Sequence, residues 1–204
     1  MSTVPASSEQ RAVLRSISWQ TYVSLTEESA SGSGRMTYDR GVLEIMSPGM
    51  PHETAKRLIG RMIESFTLAR GIEIRSSSST TFKRSEMQRG FEADESYYIQ
   101  HAREVQGIGE IVLSIHPPPD LVLEIDMTRS SIPKKALFAS MKIPELWRYD
   151  GVSLWMGRLL QDGYQDLEQS LVLPGFPREF AAKLIDRLVD ENETALIRAF
   201  VDSL

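Results

Sequence analysis

Asp120, Glu124 and Asp126 lie within one short stretch, PPDLVLEID, and bracket the aliphatic run Leu121–Ile125. Side chains two apart on a strand share a face, so the three carboxylates project to one side and Leu121, Leu123 and Ile125 to the other. Acids this close repel one another by about a kcal/mol or more unless water, a cation or a basic group intervenes. A divalent metal is the natural occupant, because hard cations collect carboxylate oxygens. A strand edge whose acids simply face water is the plainer alternative. Glu124 leads the candidates: it interrupts an aliphatic strand near its C-terminal end, the edge where α/β sheets bind ligands.

Asp94 is the second candidate. It belongs to a strand expected over 91–99, with Glu92, Ser96 and Tyr98 on its face. If that strand neighbours Leu121–Ile125, Asp94 and Glu124 converge on one cation. Lys134 and Lys135 follow Pro133 and open a helix. Lysines in a first turn oppose the helix dipole by a few tenths of a kcal/mol, which nearby carboxylates would offset. Either amine could steer a water or stabilise developing negative charge, though each also reads as a solvated lysine. His52 and Glu53 begin a long helix. Glu53 suits the positive helix N-terminus, and His52 reads first as a partly buried structural histidine and second as a group able to reach the site. Glu44 is an outside candidate. His101 and His116 stand in connections at no recognisable ligand spacing. Trp147, Tyr149, Trp155 and Tyr164 read as core or a dimer surface, since a base-stacking platform would interleave them with more cations than Arg148 and Arg158.

The elements that must position these residues follow from periodicity and turn chemistry. Residues 1–15 read as a flexible N-terminal arm and 16–204 as a single domain. A helix over 17–28 carries a Ser18 cap, and a Gly/Ser loop covers 29–34. A hairpin then turns at Asp39-Arg40-Gly41. From Pro51 to Gly71 runs a strongly amphipathic helix. Residues 72–75 and 80–83 flank the serine run over 76–79 and read as one bulged strand or two; further strands are expected over 91–99, 111–115 and 121–125, and a short helix over 134–141. A second hairpin turns at Asp150-Gly151, and the tail over 177–204 is mostly helical. The order predicts an α/β fold around one mixed sheet.

At 204 residues the chain is long enough for a sizeable core, and its 41% hydrophobic and 25% charged residues are ordinary for a soluble protein. It has no cysteine, which excludes disulfides and thiolate metal sites and suits a reducing cytoplasm. No apolar run reaches the roughly 20 residues of a membrane span, and MSTVPASSEQRAV lacks the layout of a secretory leader. A net charge of −5 argues against indiscriminate coating of nucleic acid but not against a nuclease whose acids are neutralised locally by metal.

Four stretches in this order, YDRGVLEIMSPGMPHE, FEADESYYI, PPDLVLEID and IPKKALFASMKIPELWRYDG, resemble the Uma-two family, whose members are described as restriction endonucleases. The similarity covers roughly residues 17–174. It implies a PD-(D/E)xK nuclease fold, a mixed central sheet flanked by helices, here with an N-terminal β-hairpin. It further implies that Asp94 and Glu124 bind Mg²⁺ (or Mn²⁺), with Asp126 as an auxiliary ligand. The lysine usual two residues after the acid is absent, because Asp126 stands there. Related sequences carry a lysine four residues ahead of an aromatic, a placement that Lys134 matches through Phe138, with Lys135 the second choice. Ala93 replaces a common proline, and Phe138 a common tyrosine. The resemblance implies a Mg²⁺-dependent DNA endonuclease in the cytoplasm, dimeric because cutting both strands calls for two sites. The rivals are an inactive nuclease-fold dimer serving as a binding or scaffold protein, and a hydrolase of small phosphorylated substrates.

Overall fold

The computed structural model describes residues 9–28 and 34–204. Its strands are β1 (Gln10–Arg15), β2 (Arg35–Asp39), β3 (Val42–Ser47), β4 (Arg75–Ser76), β5 (Thr81–Arg84), β6 (Arg89–Glu92), β7 (Glu95–Tyr98), β8 (Leu121–Ile125), β9 (Glu145–Tyr149), β10 (Leu154–Leu160) and β11 (Gly163–Asp166). Its α-helices are α1 (Trp19–Glu28), α2 (Met50–Arg70), α3 (Lys134–Ser140), α4 (Arg178–Asp186) and α5 (Glu193–Asp202). The strands form two sheets where the sequence pointed to one. The six-stranded sheet, ordered β11-β10-β9-β8-β7-β4, is the mixed central sheet expected, since β8 and β9 run parallel and the other pairs antiparallel. The hairpin β2–β3 belongs instead to an antiparallel five-stranded sheet, ordered β1-β3-β2-β6-β5.

Local chemistry accounts for most boundaries. The Ser18 hydroxyl accepts the Thr21 N–H at 3.0 Å and caps α1. Arg40 and Gly41 both take positive φ, 46° and 93°, as a two-residue hairpin turn requires. Pro51 sits in the first turn of α2, and Gly71, at φ 64°, ends that helix in the left-handed conformation. Ala55, Leu58, Ile59, Met62, Ile63 and Phe66 form the buried face of α2, packed with Leu121, Leu123 and Ile125 of β8 and with apolar residues of α4 and α5. Val122, on the opposite face of β8, packs with Leu137 and Phe138 of α3 and with Phe82 and Phe91 of the second sheet. The central sheet is therefore covered on both faces, and all five residues of β8 are buried.

Three local expectations differ from the structure. Residues 10–15, read as part of a flexible arm, pair with β3 from Gln10↔Ser47 to Arg15↔Val42, and residues 1–8 lie outside the described residues. Edge strands need no continuous apolar face, and Arg11 is drawn inward by ion pairs that leave no hydrophobic period. The Gly/Ser loop also falls mostly outside the described residues. The expected strand over 111–115 is a turn closed by Ile115 N–H and His116 N–H on the Val112 carbonyl. The strand over 91–99 is broken at Ala93-Asp94, where the chain crosses from the second sheet (β6) to the central sheet (β7).

Gly90 sits where β6 passes under α1. A methyl group there would overlap the hydroxyl end of Tyr22, which is fully buried and stacked on Tyr38 with 4.8 Å between ring centroids. Gly90→Ala is accordingly expected to cost about 1–3 kcal/mol through overpacking, read as a lowered midpoint in urea unfolding.

Candidate active site

The interruption at Asp94 builds the site. In the β7–β8 register Glu95 lies opposite Leu123, so continuing it by one residue sets Asp94 opposite Glu124. There the Asp94 side chain replaces the ladder: its Oδ2 accepts the Ile125 N–H at 2.8 Å. Its Oδ1 accepts Arg35 Nε at 2.6 Å and His52 Nε2 at 2.8 Å. Asp94 is fully buried. Burial alone would raise its pKa, but the His52 hydrogen bond and the charges of His52, Lys134 and Arg35 outweigh it and hold the carboxyl well below the usual range.

Glu124, also buried, receives the Lys134 ammonium on Oε2, while Oε1 has no hydrogen-bond partner among the described residues. Burial pushes the Glu124 carboxyl up to about 7, against the pull of Lys134 and with help from the negative charges of Asp94 and Asp126. Lys134 moves upward as well: burial opposes its charge, but Glu124, Asp94 and Asp126 together prevail. Both groups are buried, but the amine faces three carboxylates and keeps its charge, whereas Lys134 does not offset the burial of Glu124. Lys135 does not reach the acids. Its ammonium lies 3.6 Å from the Trp155 ring centroid.

Asp126 accepts Arg148 Nε at 2.6 Å. Asp120, grouped by sequence with the other two acids, is at the far end of β8 and serves a different purpose. Its Oδ2 accepts the Ile99 and His101 N–H groups, at 2.7 and 3.0 Å, and its Oδ1 faces His101 Nδ1 at 2.5 Å. The strand's period was right, but four residues of rise separate Asp120 from Glu124. The acids do not face water as on an open strand edge: each has a cation or backbone donors.

His52 is more than a structural histidine. It is buried with Nε2 on Asp94 and Nδ1 2.5 Å from Glu9 Oε1. Ionised carboxylates only accept, so both ring nitrogens donate and the ring is an imidazolium. Burial works against that charge, yet Asp94 and Glu9 raise the ring's pKa. Arg35 also bridges to Glu53 at 3.1 Å, so the acid at the α2 N-terminus joins the periphery of the site. Glu44 accepts Arg11 Nη1 at 2.7 Å, the Ser130 hydroxyl at 2.8 Å and the Ser131 N–H at 2.7 Å. Sequence reasoning missed Arg35, Glu9 and Arg11, whose roles rest on pairing across strands and carry no local motif. Phe138 is core, edge-on to Phe91 at 4.8 Å.

Beside this cluster opens a cleft of about 560 Å³, lined by residues 126–135, Arg148 and Asp150. Its charged lining is Arg129, Lys134, Lys135 and Arg148 against Asp126 and Asp150, a positive balance in a chain of net charge −5. Among the described residues no three His, Cys, Asp or Glu side chains form a ready-made metal cage. Mg²⁺ asks for less, commonly one or two carboxylates completed by water and substrate phosphate. The unpartnered buried oxygen of Glu124 and the hard oxygen donors of Asp94 and Asp126 fit such an ion.

Two of three comparisons bear on this architecture. No curated protein matches the chain. Its fold is similar to that of a solved structure described as "a putative nuclease belonging to DUF820 from Anabaena variabilis ATCC 29413", with a TM-score of 0.53 and 17% sequence identity over 91% of this chain and 99% of that one. That likeness is one of fold, which in this chain is a mixed central sheet flanked by helices. Residues 19–184 match the family model described as "Putative restriction endonuclease", and the chain belongs to that family, Uma2.

Proposed function

We propose that this chain is a Mg²⁺- or Mn²⁺-dependent endonuclease that hydrolyses phosphodiester bonds of DNA, acting as a homodimer in the cytoplasm. The observation that carries the reading is the meeting of Asp94, Glu124 and Lys134, from a strand break, a neighbouring strand and a helix start, beside a cleft of positive balance. Asp94 and Glu124 would hold the ion, with Asp126 as an auxiliary ligand. When bound, the ion supplies an acidified water and neutralises charge on the scissile phosphate. Lys134 keeps its proton and acts as a fixed cation toward the developing negative charge. Arg35 and His52 hold the Asp94 carboxylate in place, and Arg129, Lys135 and Arg148 suit the flanking phosphates. No helix among the described residues is long and apolar enough to cross a membrane.

The same geometry favours one rival. Asp94, Glu124 and Asp126 are each already paired with a basic side chain, as in an inactive member kept as a binding or scaffold dimer. Calorimetric titration with Mn²⁺ separates the two. The nuclease should bind Mn²⁺ and lose at least about tenfold in affinity on Glu124→Ala. Affinity should also rise from pH 6 to pH 8, because Glu124, raised to about 7, must shed its proton to ligate. A wild-type protein that takes up no Mn²⁺ would leave the scaffold.

A further inference from the structure

We propose, building on the nuclease reading, that Glu9 is a positioning residue of this site, a carboxylate that ties the first turn of α2 to the loop after β8. Glu9 is buried just before β1. Its Oε1 takes His52 Nδ1 at 2.5 Å, and its Oε2 takes Arg11 Nη2 at 2.9 Å together with the Thr128 hydroxyl. Arg11 reinforces the link, donating from Nε to Thr128 Oγ1 at 2.9 Å and from Nη1 to Glu44 at 2.7 Å. Glu44 in turn holds Ser130 and Ser131. Arg129, exposed on the cleft wall, is thus fastened on both sides by residues that answer to the first and third strands.

Glu9 itself touches neither Asp94 nor the cleft. It acts through two others: His52, whose second nitrogen rests on Asp94, and Thr128, which lines the cleft. An imidazole with a partner on one nitrogen only can swing off Asp94, whereas one gripped from both sides cannot. Such partners fix ring orientation in ion-binding sites, and losing one typically costs about 10–100-fold in affinity or rate. The residue leading into the first strand is therefore a working part of the site, because its carboxylate holds His52 and the Thr128 loop at once.

The test uses full-length ¹⁵N-labelled protein, Glu9→Ala and the shape-conserving Glu9→Gln. The slowly exchanging His52 Nδ1–H signal, assigned by its absence in His52→Gln, is expected in the wild type and lost in both variants. Trypsin should cut after Arg129 roughly tenfold faster in both variants, and Mn²⁺-dependent DNA cleavage should fall by about 10–100-fold. A Glu9→Gln protein with a wild-type ring signal and wild-type protection of Arg129 overturns the proposal. Should the ring signal and the protection depend on Glu9 while the wild type cleaves no DNA with Mg²⁺ or Mn²⁺, the positioning role stands and the nuclease reading falls.

Discussion

Asp94→Ala is expected to destabilise the fold by about 3–5 kcal/mol at neutral pH, far more than a surface aspartate would cost. The carboxylate is the shared anion of Arg35 and His52, whose side chains are 14% and 1% exposed. Removing it leaves half-buried Arg35 with Glu53 alone, buried His52 with Glu9 alone, and the Ile125 N–H without its acceptor. The pH dependence has a definite sign. Asp94 is held below its ordinary 3.8, so its contribution is present above that value and is lost as pH falls through the depressed one. His52 is raised above 6.5, so its contribution is full below that value and is lost as pH rises through the raised one. In Asp94→Ala its share of the acid-side loss disappears, while that of Glu9 and Asp39 stays. The alkaline-side loss moves to lower pH, because His52 then has only Glu9 to keep it charged. Urea unfolding from about pH 1.5 to pH 9 reads both changes, and a variant within about 1 kcal/mol of wild type at pH 7 would remove Asp94 from the centre of this network.

The elements of this network differed in how clearly the sequence announced them. α2 and β8 declared themselves through period and capping: six apolar residues on one helical face, and an aliphatic run stopped by prolines and acids. The β2–β3 hairpin was equally legible, since Arg40-Gly41 supplies the two positive-φ positions such a turn needs. The division into two sheets was hidden. Residues 91–98 alternate like one strand, and nothing local says that Ala93-Asp94 will be spent on a crossing. What breaks the strand is tertiary, for the Asp94 carboxylate occupies Ile125 N–H in place of a main-chain partner. The serine run over 76–79 marks the opposite crossing, from β4 in the central sheet to β5 in the second, so the open choice between one bulged strand and two resolves to two.

The candidate site divides along the same line. Asp94, Glu124, Asp126 and Lys134 could be singled out because acids within strands, and lysines at a helix start, run against local preference and need a reason. Arg35, Glu9 and Arg11 run against nothing: a charged residue beginning a strand, or on an edge strand, is ordinary. Their importance comes from long-range pairing, with Arg11 lying 117 positions from Thr128. His52 fell between the two classes. Its burial was foreseen, but the two carboxylates that make it an imidazolium come from segments 43 and 42 positions away.

Lys134→Met is expected to be the second large loss, and its dependence on pH separates stability from chemistry. Without the ammonium, Glu124 is a buried carboxyl with no partner on either oxygen among the described residues, and Asp94 and Asp126 still repel its charge. A carboxyl raised from 4.5 to about 7 makes the folded state bind protons more tightly than the unfolded one, so stability falls as pH rises through that window. Losing Lys134 raises it further, so the variant's deficit against wild type should grow by about 1 kcal/mol between pH 5 and pH 8, where the bare carboxyl takes up a proton rather than stay charged. Adding Glu124→Gln removes the charge itself, and the double variant should return to within about 1 kcal/mol of wild type at both pH values, since a buried ion pair is often no more stabilising than a neutral replacement. Denaturation of the four proteins at two pH values completes the cycle. If the double variant is that stable and yet takes up no Mn²⁺, folding gives no reason to keep a buried lysine on a buried glutamate. The remaining reason is that one oxygen of Glu124 is left free for a cation while Lys134 holds the other.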